Sequence, residues 1–454
     1  MVGWFRVGSR CGFDLWGETP LIAKDLGDLL SAVGAGPCAC PDFFDWETGH
    51  PQGDVPTVRY LCMKICDVKI FRVVGEWDGG GFPPGSRQAK QLDIYPEFNT
   101  DSQGGGGGGM RGIQALYVQI DTDEGISGLF GPIQKSQAFI IDTMLKSFLI
   151  GRDPLATEAL QDQMLRLDRH GRSGLFMTGV SPVDCALWDL KGKAWGQPVY
   201  RLLGGPTRDA VPAYASMLGF SIEPDAAAQR AVEYKEKGFT AQKWFFRYGP
   251  GDGEVGKTKN MAMAQAVRDA VGDDYALMFD AFMGWDQGYA IDMVNRLVPL
   301  RPTWMEEPVP PEHVDTFCNI RAASSVPIAT GEHVYTRWQT KELLVRGAVD
   351  VLQNDPDWTG GITELVKICA LASAFDTPVV AHGHSLLPAL HVAGAQSASV
   401  IPRVEFLIRG QEGKQFFHKP IYRPENGRVF LPKLSGLGLV LDEDKIIRRE
   451  DVTF

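Results

Sequence analysis

The chain has 454 residues, of which 44% are hydrophobic and 22% charged, enough for two domains or for one large barrel with a cap. Its net charge of −11 leaves no sequence-wide basic field to hold phosphate backbones, so nucleic acid is not an expected partner. No apolar run approaches the roughly 20 residues needed to span a bilayer, and no membrane role is expected. Segment 1–62 is rich in Gly, Pro and Asp without a sustained hydrophobic period, and reads as an N-terminal extension whose role its residues do not disclose. Arg6, Arg10 and Asp14 break up its apolar start, which is unlike a signal peptide. Cys38 and Cys40, with Cys62 and Cys66, lack zinc-finger spacing. A reduced, cytoplasmic protein is expected.

Regular structure is predicted from Lys64–Val74, which alternates as a strand does. Six consecutive glycines, Gly104–Gly109, predict a flexible loop, either a lid or a plain surface segment. A hairpin follows, Ala115–Ile120 and Ile126–Phe130, turned by TDEG. Apolar-periodic helices are predicted over Ser136–Leu149 and Pro154–Arg169. Ser181, Pro182 and Asp184 together predict another helix start, with a cap, a first-turn proline and an acid at the positive end of the dipole. Residues 63–190 thus read as a small α+β domain.

From about residue 211 the pattern repeats as short apolar strand, loop and amphipathic helix. The predicted strands are Val211–Ala215, Gln242–Phe246, Leu277–Asp280, Thr303–Glu306, Ile328–Thr330, Val349–Gln353, Pro378–His382 and Val404–Leu407, with helices closing at glycines such as Gly238, Gly272 and Gly347. Eight strands alternating with helices predict a parallel α/β barrel over 191–415. The tail, 416–454, contains the strand-like GLGLVL and is expected to pack back on the first domain.

At the carboxyl ends of successive strands stand Asp280, Glu306, Glu332, Asp355 and His382, spaced 26, 26, 23 and 27 residues apart. Each spacing is one strand–helix unit, so all five are predicted to face one mouth of the barrel. Three carboxylates there would repel one another without a cation between them. An all-oxygen set suits Mg²⁺ rather than zinc and leaves positions open for substrate. Asp355, one unit before His382, can hold its imidazole and raise its pKa, which makes His382 a candidate general base. His384 is the rival.

These motifs, with VDCALWDLKGKAWGQPVYRLLGG (183–205), PDWTGGITELVKI (356–368) and PENGRVFLPKLSGLGLVLD (424–442), resemble the enolase superfamily in its mandelate racemase subgroup, most closely its acid-sugar dehydratases. The resemblance implies a modified (β/α)7β TIM-like barrel under an α+β cap built from N- and C-terminal segments. It implies that Asp280, Glu306 and Glu332 bind Mg²⁺ and that Asp355 and His382 form a dyad. It also implies that Glu405 contacts the substrate, a small sugar acid. His333 and Arg337, after the third ligand in GEHVYTRW, are further expected contacts, and a homo-oligomer is expected.

One departure bears on the reaction. Racemases of the subgroup carry two lysines as KxK after the second barrel strand. Here the segment is KWFFRYG, with Lys243 present and Phe245 in the second lysine's place. Racemisation needs bases on both faces of a carbanion, whereas β-elimination runs with one. The expected reaction is dehydration of an aldonate to a 2-keto-3-deoxy acid, by proton removal at His382 and an enediolate, with Lys243 holding substrate. A racemase or epimerase on the same metal site is the alternative. A hydrolase barrel would call for more strand-end histidines than His382 and His384.

Overall fold

The computed structural model describes residues 63–79, 82–100 and 111–454. The extension 1–62, with Cys38, Cys40 and Cys62, and the run Gly104–Gly109 lie outside them. No helix among the described residues is long and apolar enough to cross a membrane.

Alternation of apolar and polar residues builds a first, antiparallel sheet. β1 (Ile65–Trp77), β2 (Arg111–Thr122) and β3 (Ser127–Ile133) follow one another, the last two joined by the predicted turn, whose Gly125 N–H donates to Thr122 O at 3.1 Å. β1 also pairs with the end of the chain, β12 (Arg448–Asp451), giving the order β12-β1-β2-β3. The strand-like GLGLVL is not itself a strand. Gly436 and Gly438 sit at φ +70° and +73°, which break an extended run, and Gly436 and Leu441 make only isolated bridges.

Helix Gly174–Ala194 packs on this sheet, close enough that a Cβ on Gly128 would lie 2.1 Å from Ala186 O. The helix start predicted at Ser181 is overturned, since Ser181, Pro182 and Asp184 lie in its interior. Pro182 cannot donate to Thr178 O, and Gln137 Nε2 takes that carbonyl at 3.0 Å instead. The capping chemistry of Ser181 and Asp184 is real but serves a different helix. Ser181 Oγ accepts from Gly360 N at 2.9 Å and Asp184 from Thr363 N at 2.9 Å, at the start of helix Gly361–Ser373.

The second sheet is parallel. It runs β10 (Val404–Leu407), β4 (Ala210–Ser216), β5 (Ala241–Phe245), β6 (Ala276–Asp280), β7 (Trp304–Glu306), β8 (Ile328–Thr330) and β9 (Val351–Leu352), with β11 (Arg428–Phe430) antiparallel to β4. Helices join the strands, so the sheet curls as a TIM-like α/β barrel. The predicted strand Pro378–His382 continues it through a single bridge, Leu352↔Val379, because β9 is only two residues long. Tyr214, Ala241, Met278, Trp304, Ala329, Val351 and Val380 form one apolar layer inside.

His391 ties three segments together. Its Nδ1 accepts from Tyr200 N at 3.1 Å, and its Nε2 bonds Leu437 O at 3.1 Å. Both nitrogens are used by the neutral ring, and a proton on Nδ1 would face an N–H donor. Burial accordingly pushes the imidazole down to about 4. The unfolded chain binds this proton from its ordinary pKa of about 6.5 downwards, whereas the folded chain refuses it. Stability should therefore be full above that pH and fall by about 3 kcal/mol from this group as pH drops towards 4. Urea unfolding of wild type and His391→Gln across this range should show a shallower acid loss in the variant.

Candidate active site

Side chains repeat every second residue along a strand, so those two residues beyond the apolar layer share its face. Two on from Ala241, Met278, Trp304, Val351 and Val380 stand Lys243, Asp280, Glu306, Gln353 and His382, all buried. β6 and β7 bring Asp280 and Glu306 level, and β10 brings in Glu405 opposite Tyr214. Lys243 Nζ pairs with Glu306, with Glu405 at 3.0 Å and with Asp280 at 3.6 Å. Glu306 also accepts from Trp304 Nε1 at 3.0 Å and Gln353 Nε2 at 2.6 Å. Phe245 shares the Lys243 face, its ring centre 5.5 Å from the ammonium.

Glu332 and His333 follow β8. Glu332 Oε2 lies 3.5 Å from His382 Nε2, and its Oε1 lies 3.7 Å from His333 Nε2. His333 Nδ1 rests 2.9 Å from Glu307, which also accepts from Thr330 Oγ1 at 3.0 Å. His382 Nδ1 lies 2.9 Å from Asp355 Oδ2. With Asp355 accepting Nδ1–H, the Nε2 lone pair faces the acid cluster. His384 has a separate acid, Asp357, at 2.7 Å, and is not the histidine facing Glu332. Arg337 is not brought to this group. Its guanidinium holds Glu364 at 2.6 Å and lies over Trp338, because helix Thr336–Val345 starts there and turns it towards helix Gly361–Ser373.

Charge is out of balance here. Among the described residues, Lys243 is the only lysine or arginine paired with Asp280, Glu306, Glu307, Glu332 or Glu405. Burial, then Glu306 and Glu307, hold Asp280 well above the ordinary carboxyl range despite Lys243. Burial, then Glu307, Asp280 and Glu306, do the same to Glu332. Glu405 goes the other way: burial would raise it, but Lys243 and His382 prevail and bring it down to about 2. Acids raised by one another lack positive charge, and their hard oxygens fit a divalent cation such as Mg²⁺. The tightest such group among the described residues is Glu307, Glu332 and His333, whose ligand atoms lie within 4.8 Å of one another. Asp280 and Glu306 are not in that group: Glu306 is bonded to Lys243, Trp304 and Gln353, and Asp280 lies 3.6 Å from Lys243.

Sequence reasoning left out Glu307, Gln353, Asp357 and Trp358. Asp357 was legible: it precedes His384 by the same 27 residues that separate Asp355 from His382. Gln353 follows from counting two on from Val351.

The description Enolase C-terminal domain-like matches residues 226–445, and the mandelate racemase / muconate lactonizing enzyme N-terminal domain matches 108–204. The L-rhamnonate dehydratase of Saccharopolyspora erythraea is 33% identical over 407 residues, covering 85% of this chain and 99% of its own length. The chain belongs to the enolase superfamily. Within it, the rhamnonate dehydratase of Gibberella zeae, solved in complex with Mg, is 29% identical, with a TM-score of 0.71 over 85% of this chain and 96% of that one. The 3,6-anhydro-D-galactonate cycloisomerase of Zobellia galactanivorans shares the superfamily fold at 27% identity, with a TM-score of 0.66 over 84% and 98% of the two chains.

Replacing Lys243 with Met should leave Glu306 and Glu405 buried without their cation and cost about 3–5 kcal/mol in urea unfolding. Added Mg²⁺ should recover part of that loss, since it supplies charge to the same acids.

Proposed function

We propose that this chain is a Mg²⁺-dependent acid-sugar dehydratase, converting an aldonate of the L-rhamnonate type to a 2-keto-3-deoxy acid. The observation that carries this reading is His382. Its Nδ1 is held by buried Asp355 and its Nε2 faces Glu332 in a cluster short of positive charge. Identity to a dehydratase along nearly that enzyme's whole length supports it.

Mg²⁺ would be held by Glu332 together with Asp280 and Glu306, both of which are engaged by Lys243 in this structure, and would supply positive charge to the substrate carboxylate as negative charge develops there. His382 Nε2 takes the α-proton, and Asp355 stabilises the imidazolium that forms. The enediolate then expels the β-hydroxyl, to which His382 can return its proton, so that water leaves and the enol becomes the keto acid. Glu405, kept ionised against Lys243, can accept a hydrogen bond from a sugar hydroxyl. His333, fixed by Glu307, offers a second contact from the other side of Glu332. In this reading residues 63–190 and 416–454 form a cap over the catalytic barrel at 191–415.

Elimination is favoured over epimerisation by Lys243. Burial works to lower its ammonium, but Glu306 and Glu405 outweigh that and hold it well above its ordinary pKa. An ammonium so held is a poor base, and Phe245 supplies none. Incubation with aldonic and aldaric acids and Mg²⁺ in D₂O should yield a 2-keto acid. Recovery of a C2 epimer carrying deuterium, with no keto acid, would establish an epimerase instead. His382→Asn should abolish both turnover and α-proton exchange while the fold persists, whereas His384→Asn should keep turning over.

A further inference from the structure

Three histidines of this region meet on one indole. The Trp358 ring centre lies 5.2 Å from His382 at an interplanar angle of 25°, 4.6 Å from His384 at 43° and 5.8 Å from His333 at 22°. Each imidazole is bonded elsewhere to an acid of its own: Asp355, Asp357 and Glu307. Two of those acids sit with the indole in the four residues DPDW. That turn is rigid: Asp357 N donates to Asp355 Oδ1 at 2.8 Å, and Trp358 N and Thr359 N donate to Asp355 O at 3.0 and 2.8 Å. His384 N donates to Asp355 Oδ2 at 3.1 Å, which ties the HGH segment to the same turn.

One carboxylate bond fixes a point on an imidazole ring but leaves the ring free to swing about that bond. A stacked aromatic face removes this freedom, because sliding or tilting away loses contact area. We infer that Trp358 is a positioning residue: its indole clamps the planes of His382, His384 and His333, so that His382 Nε2 stays aimed at the substrate carbon beside Glu332 while His384 is kept turned to Asp357. The inference rests on the proposed function for what His382 does, but the clamp itself is a property of the rings. Proton transfer to a fixed nitrogen depends steeply on aim, and a misplacement of about 1 Å costs about a hundredfold in rate.

The test uses the full chain as wild type, Trp358→Leu, Trp358→Phe and His382→Asn. In protein labelled with ¹³C-histidine, the indole's ring current should shift the ring-proton signals of His333, His382 and His384. In Trp358→Leu those three should move and broaden, while the signals of buried His391 and His418 stay in place. Trp358→Phe should restore most of the ordering. With the acid sugar that the wild type turns over, Trp358→Leu should lower kcat by about tenfold to a hundredfold with KM within about twofold, and Phe should rescue it. Unmoved histidine signals, or an unchanged kcat, would overturn the clamp. A raised KM with kcat intact would overturn it too, placing the indole against substrate instead. The two readings fail separately. An active His382→Asn sinks the dehydratase mechanism, and the histidine spectra of Trp358→Leu still decide the clamp even where no sugar acid is turned over.

Discussion

Five carboxylates, those of Asp280, Glu306, Glu307, Glu332 and Glu405, are buried at one end of a parallel sheet, and one ammonium, Lys243, is paired among them. Keeping charge of one sign out of water is expensive, and each of the surrounding arrangements lowers that cost. Lys243 sets one positive charge between Glu306 and Glu405. Trp304 and Gln353 donate to Glu306, Thr330 donates to Glu307, and His333 and His382 approach from the mouth. What is left over is negative charge facing the opening, which is what a divalent cation and a substrate carboxylate together require.

The layer beneath the acids is largely apolar, with Trp304 Nε1 donating to Glu306. Tyr214, Met278, Trp304 and Val380 close the barrel interior one step below, so the polar layer is solvated from one side only. Strands of two to five residues suffice for this in β5 to β9, since one inward apolar residue followed two positions on by one polar residue serves at every strand but β8, where Gly331 takes the second place. The helices behind the strands are held from the antiparallel side. Helix Gly174–Ala194 lends Ser181 and Asp184 to the start of helix Gly361–Ser373, directly after the DPDW turn that carries Asp355 and Trp358. The turn that carries Asp355 is thus followed by a helix whose start is held by residues far away in the chain.

Superfamily membership accounts for the frame and not for the reaction. A dehydratase and a cycloisomerase of acid sugars both share this fold with the chain. The proposed reaction rests on local features: Phe245 two residues after Lys243, an ammonium bound to acids, and a second acid–histidine pair beside the first.

The sequence by itself determined the repeat of strand and helix, the spacing that brings Asp280, Glu306, Glu332, Asp355 and His382 to successive strand ends, and the hairpin of the first sheet. These are readable because period-two and period-3.6 patterns and turn chemistry act over a few residues. Tertiary structure alone decided what each charged group faces. Arg337 was expected at the substrate, but a helix start turns it to Glu364, 27 residues on. Lys243, expected near the substrate carboxylate or its neighbours, meets Glu306, 63 residues away. Ser181 and Asp184 were expected to start their own helix, but they cap one 179 residues downstream. Local pattern says that a side chain can cap, pair or ligate. Which partner it meets depends on how the elements pack, because Coulomb and hydrogen-bond energies depend on distance in space and not on separation along the chain.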